Sequence, residues 1–90
     1  MRVVYSKRAL RDFERFVNFQ EPEGDAVETV EIVTEAIELL ERHPLMGRPV
    51  RGALRELVIS VGRTGYLALY RVMAQRVEIL SLRHQREAGY

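Results

Sequence analysis

The sequence predicts an α+β fold in which two N-terminal helices pack on a small, mostly antiparallel sheet, with the element order β-α-α-β-β-β. Two segments in the first half carry apolar residues at helical spacing. Three short apolar runs, Leu54–Val61, Tyr66–Met73 and Val77–Leu82, follow in the last third, and their connections are short enough only for hairpins. The 90 residues are enough for one domain, residues 1–90, with a small core.

The first strand and the first helix are predicted from residues 2–19. Arg2–Tyr5 contains three good strand formers. Ser6 is suited to cap a helix that runs from Lys7 to near Phe19. Its apolar stripe is predicted from residues at helical spacing, namely Leu10, Phe13, Phe16 and Val17. Glu21–Asp25, which contains proline and glycine, is predicted to turn the chain toward the second helix.

The second helix is predicted from about Ala26 to Arg42, and His43-Pro44 ends it because the residue before proline leaves helical geometry. Its apolar stripe is predicted to comprise Ala26 or Val27, Val30, Val33, Ile37 and Leu40. Its wet face is predicted to comprise Glu28, Glu31, Glu35, Glu38 and Glu41. Repeated glutamates without histidine or asparagine are typical of a solvated helix surface, so no metal site is predicted there.

The last third is predicted to form the rest of the sheet. Residues 45–52 are interpreted as a loop, followed by strands at Arg55–Ser60, Tyr66–Met73 and Val77–Leu82 with turns at residues 62–65 and 74–75. Residues 83–90 are interpreted as a tail beyond the last strand. Both strand faces carry apolar residues, so we expect one face under the helices and the other half-covered and available to a partner.

Composition excludes several classes of protein. With 47% apolar and 30% charged residues the chain is typical of a globular protein. No apolar run approaches the roughly 18 residues of a membrane span, and the N-terminus lacks the apolar region of a signal peptide. Without cysteine, neither disulfides nor thiolate metal sites can form. We therefore expect a cytoplasmic protein that needs no metal or cofactor and does not bind a membrane.

The net charge of +1 conceals a partition along the chain. Residues 20–42 carry one basic and eight acidic side chains, whereas residues 43–90 carry eight basic and three acidic ones. Thirteen of the fourteen cations are arginines, which suit bidentate contacts with phosphate or carboxylate. This pattern favours an anionic partner at one surface. The alternative is that the arginine excess only reflects a coding bias.

The residues best able to do chemistry gather near the C-terminus. His84 can move a proton near neutral pH, Arg86 can stabilise charge on a phosphate, and Tyr90 can stack on a base or donate a hydrogen bond. Such a set could cleave RNA through an adjacent 2′-hydroxyl without a metal. The alternative is a basic binding tail without chemistry. The candidate contacts to a target or nucleic acid are Arg55, Arg71 and Arg83.

Several stretches together resemble the RelE/ParE superfamily of bacterial toxins from type II toxin–antitoxin systems. They are residues 43–49 (His-Pro-Leu-Met-Gly-Arg-Pro), 54–57, 65–72 and 79–87. The resemblance covers nearly the whole chain and implies a RelE/ParE-like fold. It also implies a toxin held inactive in a hetero-oligomer by a cognate antitoxin, whose C-terminal segment wraps the toxin. RelE-like members cut mRNA on the ribosome, whereas ParE-like members poison DNA gyrase.

The residues of this chain at the positions that matter in the family favour one of these two targets. RNA-cleaving members have basic residues at the positions of Glu56, Val58 and Leu67, and none of these is basic here. The tail arginine is retained as Arg86, Tyr90 lies nearby at a shorter spacing, and many ParE-like members have a histidine at the position of His84. An acidic residue repels phosphate. The resemblance therefore favours a ParE-like gyrase poison, with a RelE-like mRNA endonuclease as the alternative.

Overall fold

The structure, a computed structural model, describes residues 1–18, 26–62 and 64–85, without the side chains of Val17, Asn18 and Ala26. The element order within these residues is β-α-α-β-β-β-β. The bounds are β1 Arg2–Tyr5, α1 Lys7–Asn18, α2 Ala26–Glu38 with a 3₁₀ turn Leu39–Glu41, β2 Arg48–Arg51, β3 Leu54–Val61, β4 Thr64–Val72 and β5 Arg76–His84.

The strands form one five-stranded sheet in the order β1-β5-β4-β3-β2. The β1–β5 pair is parallel, and the other three pairs are antiparallel. Both helices lie on one face of the sheet, because their buried residues share a single core cluster with it. The predicted α+β class with a mostly antiparallel sheet is confirmed, but the predicted order β-α-α-β-β-β lacks one strand, which the structure adds as β2.

The prediction that residues 45–52 form only a loop was wrong, because Arg48–Arg51 forms strand β2 at the edge of the sheet. All four residues of β2 are exposed, so they lack the alternation of apolar and polar residues that marks a half-buried strand. Pro49 is compatible with an edge strand, since its missing N–H removes no bond that an inner strand would need. Gly52, at φ 54°, makes the tight turn into β3.

Strand β5 extends to His84, two residues beyond the predicted end, so Arg83 and His84 belong to the sheet and not to a tail. The register shifts by one residue between the pairs Leu69–Ser81 and Tyr70–Ile79, which leaves Leu80 as a bulge. Several predicted features lie outside what the structure describes: the helix end at Phe19, the turn at Glu21–Asp25, the tail residues Arg86 and Tyr90, and the stripe side chains of Val17 and Ala26.

The core lies between the helices and one face of the sheet. It is formed by Ala9, Phe16, Val33, Ile37, Leu40, Leu57, Ile59, Tyr66, Ala68, Tyr70, Val77, Ile79 and Leu82. The predicted stripe residue Leu10 is instead exposed. Val27, one of two alternatives for the start of the second stripe, is exposed as well. On α1 the buried positions 9, 12 and 16 and the partly buried position 13 follow the i, i+3, i+4, i+7 spacing. The face of α1 that meets the core therefore does not include Leu10.

Other helix predictions are confirmed. The Ser6 hydroxyl accepts a hydrogen bond from the Ala9 N–H at 3.0 Å, as an N-cap does. All five glutamates of the predicted wet face are exposed. Neither helix of the described ranges combines the length and the apolar character needed to cross a membrane.

Candidate functional site

The sheet face opposite the helices, called here the open face, holds most of the charged groups near the predicted site. The strand register fixes its members, because paired residues point to the same side and alternate with the core residues. The open face comprises Glu56, Val58, Leu67, Leu69, Arg71, Glu78, Ser81 and Arg83. Leu67 lies between Val58 on β3 and Arg83 on β5 in this register.

Two ion pairs cross the open face. Glu56 is buried, with 4% of its surface exposed, and Arg48 of β2 donates to its Oε1 from Nε at 3.0 Å and also from Nη2. The Arg71 guanidinium donates to Glu78 Oε1 at 2.9 Å, and Arg76 lies 3.6 Å from the other oxygen of the same carboxylate. These pairs neutralise much of the positive charge that the sequence suggested for this face.

Arg83 and His84 lie on opposite faces of the sheet. Arg83 is paired with Leu67 on the open face, whereas His84 is paired with Tyr66 on the helix side. The His84 ring contacts Tyr66 edge-on at a centroid distance of 5.0 Å, and its Nε2 is hydrogen-bonded to the Thr64 hydroxyl. His84 is therefore held in a partly buried aromatic cluster, and its ring does not share a face with Arg83.

Arg55, a predicted target contact, lies on the helix side of β3, opposite Tyr70 in the register. Its Nη1 donates to the carbonyl oxygens of Gly47 at 2.7 Å and Leu45 at 3.2 Å. Arg55 thus supports the loop before β2. The structure does not bring it together with Arg71 and Arg83.

Tyr70 of β4 holds the same loop from its buried side. Its side chain is fully buried, and its hydroxyl donates to the Pro44 carbonyl oxygen at 2.8 Å and accepts from the Gly47 N–H at 2.8 Å. Burial raises the pKa of the Tyr70 phenol, and the Gly47 N–H and the Arg55 charge oppose that rise. A side chain at Gly47 would place its Cβ only 2.6 Å from Tyr70 Oη. The backbone of the loop before β2 is therefore fixed in position, while its Leu45 and Met46 side chains stay exposed.

Two polar residues of α1 that sequence reasoning overlooked contact the end of β5. Asp12 is 5% exposed, and its Oδ2 accepts the Leu82 N–H at 2.8 Å. Arg15 donates to Asp12 Oδ1 at 3.0 Å and reaches the Leu82 carbonyl oxygen at 3.4 Å. The sequence does contain a signal for Asp12: this polar residue falls between Ala9 and Phe16 on the buried stripe of an otherwise amphipathic helix.

A groove lies between α2 and the outer edge of β3. Its walls include Ile32, Ala36, Leu39, Met46, Leu57 and Val58. Strand β2 covers only Leu54–Glu56, so residues 57–61 have no strand partner on their outer side within the described residues. Leu39, Met46 and Val58 are large apolar side chains exposed in or beside this groove. An apolar groove beside an uncovered strand edge is suited to a protein segment.

The predicted site residues are only partly assembled. Arg71 and Arg83 share the open face, Arg55 and His84 lie on the helix side, and Arg86 and Tyr90 lie outside the described residues. Within residues 1–18, 26–62 and 64–85, no three His, Asp or Glu side chains are grouped as ligands for a metal ion. The described surface offers contact groups around Val58, Leu67 and Arg83.

Comparison with known proteins identifies the family. A family model described as the ParE toxin of the type II toxin–antitoxin system parDE matches residues 3–89. Toxin RelE3 of Caulobacter vibrioides is 30% identical over 82 residues, which cover 91% of this chain and 88% of that protein. Among solved structures, the chromosomal ParDE system of P. aeruginosa has a TM-score of 0.67 at 22% identity, covering 93% of this chain and 95% of that chain. The RelBE2 toxin–antitoxin complex of Mycobacterium tuberculosis has a TM-score of 0.65 at 25% identity, covering 96% and 92%. The chain therefore belongs to the ParE toxin family of type II toxin–antitoxin systems, within the RelE/ParE superfamily.

Proposed function

We propose that this toxin arrests growth by binding DNA gyrase, without cutting RNA itself. Its open face, with Val58, Arg71 and Arg83, is the contact surface in this proposal. A cytoplasmic location, where gyrase and its DNA are found, is part of the proposal. The observation that carries it is the chemistry at the three open-face positions where RNA-cleaving relatives are basic.

Those three positions are neighbours on the open face. Val58 is paired with Leu67, and Glu56 lies on the same face of β3 two residues before Val58. Glu56 supplies a buried carboxylate that is paired with Arg48. Val58 supplies an aliphatic side chain that is 54% exposed, and Leu67 is buried. RNA cleavage needs cations aimed at the scissile phosphate. An apolar, charge-balanced surface is better suited to a protein target.

The position of His84 also supports a binding mechanism. A general base needs to lie within hydrogen-bond reach of the proton that it removes. The His84 ring instead contacts Tyr66 and the Thr64 hydroxyl on the helix side. In the proposed function His84 supports the end of β5, while Arg83 reaches the target from the opposite face.

The alternative function is a RelE-like, ribosome-dependent mRNA endonuclease in which His84, Arg86 and Tyr90 are catalytic. The 30% identity to Toxin RelE3 favours it. Under this alternative, His84→Ala and Arg86→Ala would abolish RNA cleavage and preserve the fold. Cleavage that survives both changes would remove this alternative.

The proposed antitoxin contact is the groove between α2 and β3. An extended antitoxin segment could pair with residues 57–61 and place apolar side chains against Leu39 and Met46. The exposed Glu28 and Glu35 on α2 would then lie near the segment and favour basic residues in it. Met46→Asp should weaken antitoxin binding by at least about tenfold in a calorimetric titration. Unchanged affinity would place the antitoxin elsewhere.

The proposed target is tested with purified proteins. The toxin is titrated into gyrase acting on relaxed plasmid, and into ribosomes translating a defined mRNA. We expect supercoiling to be inhibited and the mRNA to stay intact. Arg83→Ala should raise the half-inhibiting concentration by about tenfold, as loss of an interface arginine does. Arg8→Ala, which removes an exposed arginine from α1, is the matched control and should change it by less than about twofold. Cut mRNA with unaffected supercoiling would refute the proposal.

A further inference from the structure

Within residues 1–18, 26–62 and 64–85, strand β5 loses its outer strand partner halfway along its length. Strand β1 pairs with it only from Arg76 to Ile79, and the chain then turns into α1. A strand edge without a partner leaves backbone N–H and C=O groups to be satisfied in another way. The uncovered part, residues 80–84, is the part that carries Arg83 and His84.

Helix α1 and its cap take the place of the missing strand. The Ser6 N–H and hydroxyl donate to the carbonyl oxygens of Ile79 and Leu80, both at 2.9 Å. Beyond them, Asp12 accepts the Leu82 N–H at 2.8 Å and Arg15 donates to the Leu82 carbonyl oxygen at 3.4 Å. One acidic and one basic side chain, themselves joined at 3.0 Å, thus bind both polar groups of a single residue.

This arrangement is specific in its chemistry. A buried carboxylate is unfavourable unless hydrogen bonds and an opposite charge compensate it. Asp12 is 5% exposed and has both: the Leu82 N–H and the Arg15 guanidinium. An apolar residue would satisfy core packing at this position but would leave the Leu82 N–H without its acceptor.

We propose that Asp12 and Arg15 are positioning residues for the target-contacting end of β5. By holding Leu82 just after the bulge at Leu80, they fix which residues face each side of the sheet. Leu82 then enters the core, and Arg83 is presented beside Leu67 on the open face. A one-residue slip would exchange the two faces and withdraw Arg83 from that surface. The inference rests on the proposed function in taking Arg83 as a target contact.

The test compares four single variants of the whole chain. Asp12→Ala removes the acceptor, whereas Asp12→Asn keeps an oxygen that can accept the Leu82 N–H. Glu14→Ala is the matched control, since it removes an exposed carboxylate from the same helix. Val33→Ala creates a cavity at a fully buried position of α2 and controls for general loss of stability. The readouts are hydrogen exchange at the Leu82 amide, thermal midpoint, half-inhibiting concentration for gyrase and growth arrest in cells.

We expect Asp12→Ala to speed exchange at Leu82 by about 10- to 100-fold, because a buried amide loses a charged acceptor. It should raise the half-inhibiting concentration by about tenfold as Arg83 loses its place. Asp12→Asn should keep both values within about threefold of wild type, because its amide oxygen can still accept the Leu82 N–H. Glu14→Ala should change neither value. Val33→Ala should lower the thermal midpoint. Its half-inhibiting concentration for gyrase, measured at a temperature at which the variant is folded, should stay unchanged.

Two results would overturn the inference. The first is faster exchange at Leu82 in Asp12→Ala with unchanged inhibition and growth arrest. The second is that Val33→Ala, at a thermal midpoint equal to that of Asp12→Ala, loses as much gyrase inhibition as Asp12→Ala does. If the wild-type chain does not inhibit gyrase, the proposed function fails by itself. Growth arrest then decides the inference, because it reports toxicity whatever the target is.

Discussion

Removal of the buried Tyr70 hydroxyl is the sharpest test of how the loop before β2 is held. Tyr70→Phe deletes one oxygen and two hydrogen bonds, to the Pro44 carbonyl oxygen and from the Gly47 N–H, each at 2.8 Å. A lost hydrogen bond costs about 1 kcal/mol, and a buried donor left unsatisfied costs about 1–3 kcal/mol. We therefore expect the free energy of unfolding to fall by about 2–3 kcal/mol, or roughly 10–20 °C in the thermal midpoint.

The assay is urea denaturation followed by circular dichroism, with Tyr5→Phe as the matched control. Tyr5 is half-buried against Phe13, and its hydroxyl has no hydrogen-bond partner among the described residues. The control should therefore change stability by less than about 0.5 kcal/mol. The reasoning about the loop is refuted if the two variants differ by less than about 0.5 kcal/mol, because the two bonds would then contribute almost nothing.

Gly47, the tyrosines and the ion pair of the open face provide three further tests. Gly47→Ala should cost about 2 kcal/mol or more in urea denaturation, since the new Cβ would lie 2.6 Å from Tyr70 Oη and 2.8 Å from the Glu56 carbonyl oxygen; a neutral effect would show that the loop can shift. Burial raises the pKa of Tyr5 and of Tyr70 above 10.0, so the folded state keeps protons that the unfolded state loses. The free energy of unfolding should therefore keep its full value below pH 10 and fall as pH rises above it, and the fall should be less steep in Tyr70→Phe. Denaturation experiments across this range that show no fall would contradict this. Arg48→Ala should cost about 1 kcal/mol, because it removes the ion pair between Arg48 and the buried Glu56 carboxylate. The cost stays small because the Arg48 side chain is 69% exposed, so solvent screens its charge. The loss should shrink in concentrated salt, and equal losses at low and high salt would argue against an electrostatic origin.

The helices and the hairpins were predictable because their signals are local. Apolar residues at helical spacing marked α1 and α2, Ser6 marked a helix start, and short connections allowed only antiparallel pairing in the last third. The parallel pairing of β1 with β5 was not specified by any local pattern. It depends on contacts between residues more than 70 positions apart.

The candidate site was less predictable, for two physical reasons. Counting by twos from the buried Ile79 would place Ser81 and Arg83 on the helix side, but the bulge at Leu80 reverses the alternation and puts Arg83 on the open face. The role of Asp12 also depends on a contact 70 residues away, with the Leu82 N–H. A polar residue on a buried stripe signals such a contact without revealing its partner.

The family resemblance predicted more than the residue patterns did. It implied a toxin of a type II toxin–antitoxin system, which the family match over residues 3–89 confirms. The choice between gyrase and the ribosome stays a prediction. The absence of basic residues at Glu56, Val58 and Leu67 gains weight from the structure, because these positions are neighbours on one face.

Growth arrest in cells tests the proposed target most directly. The toxin is induced in a sensitive bacterial host, and DNA and protein synthesis are followed with separate metabolic labels from the first minutes. The gyrase proposal predicts that DNA synthesis fails first, with DNA-damage signalling and intact mRNAs. If protein synthesis fails first and mRNAs are cut, the proposal is contradicted, and His84, Arg86 and Tyr90 become the residues to study.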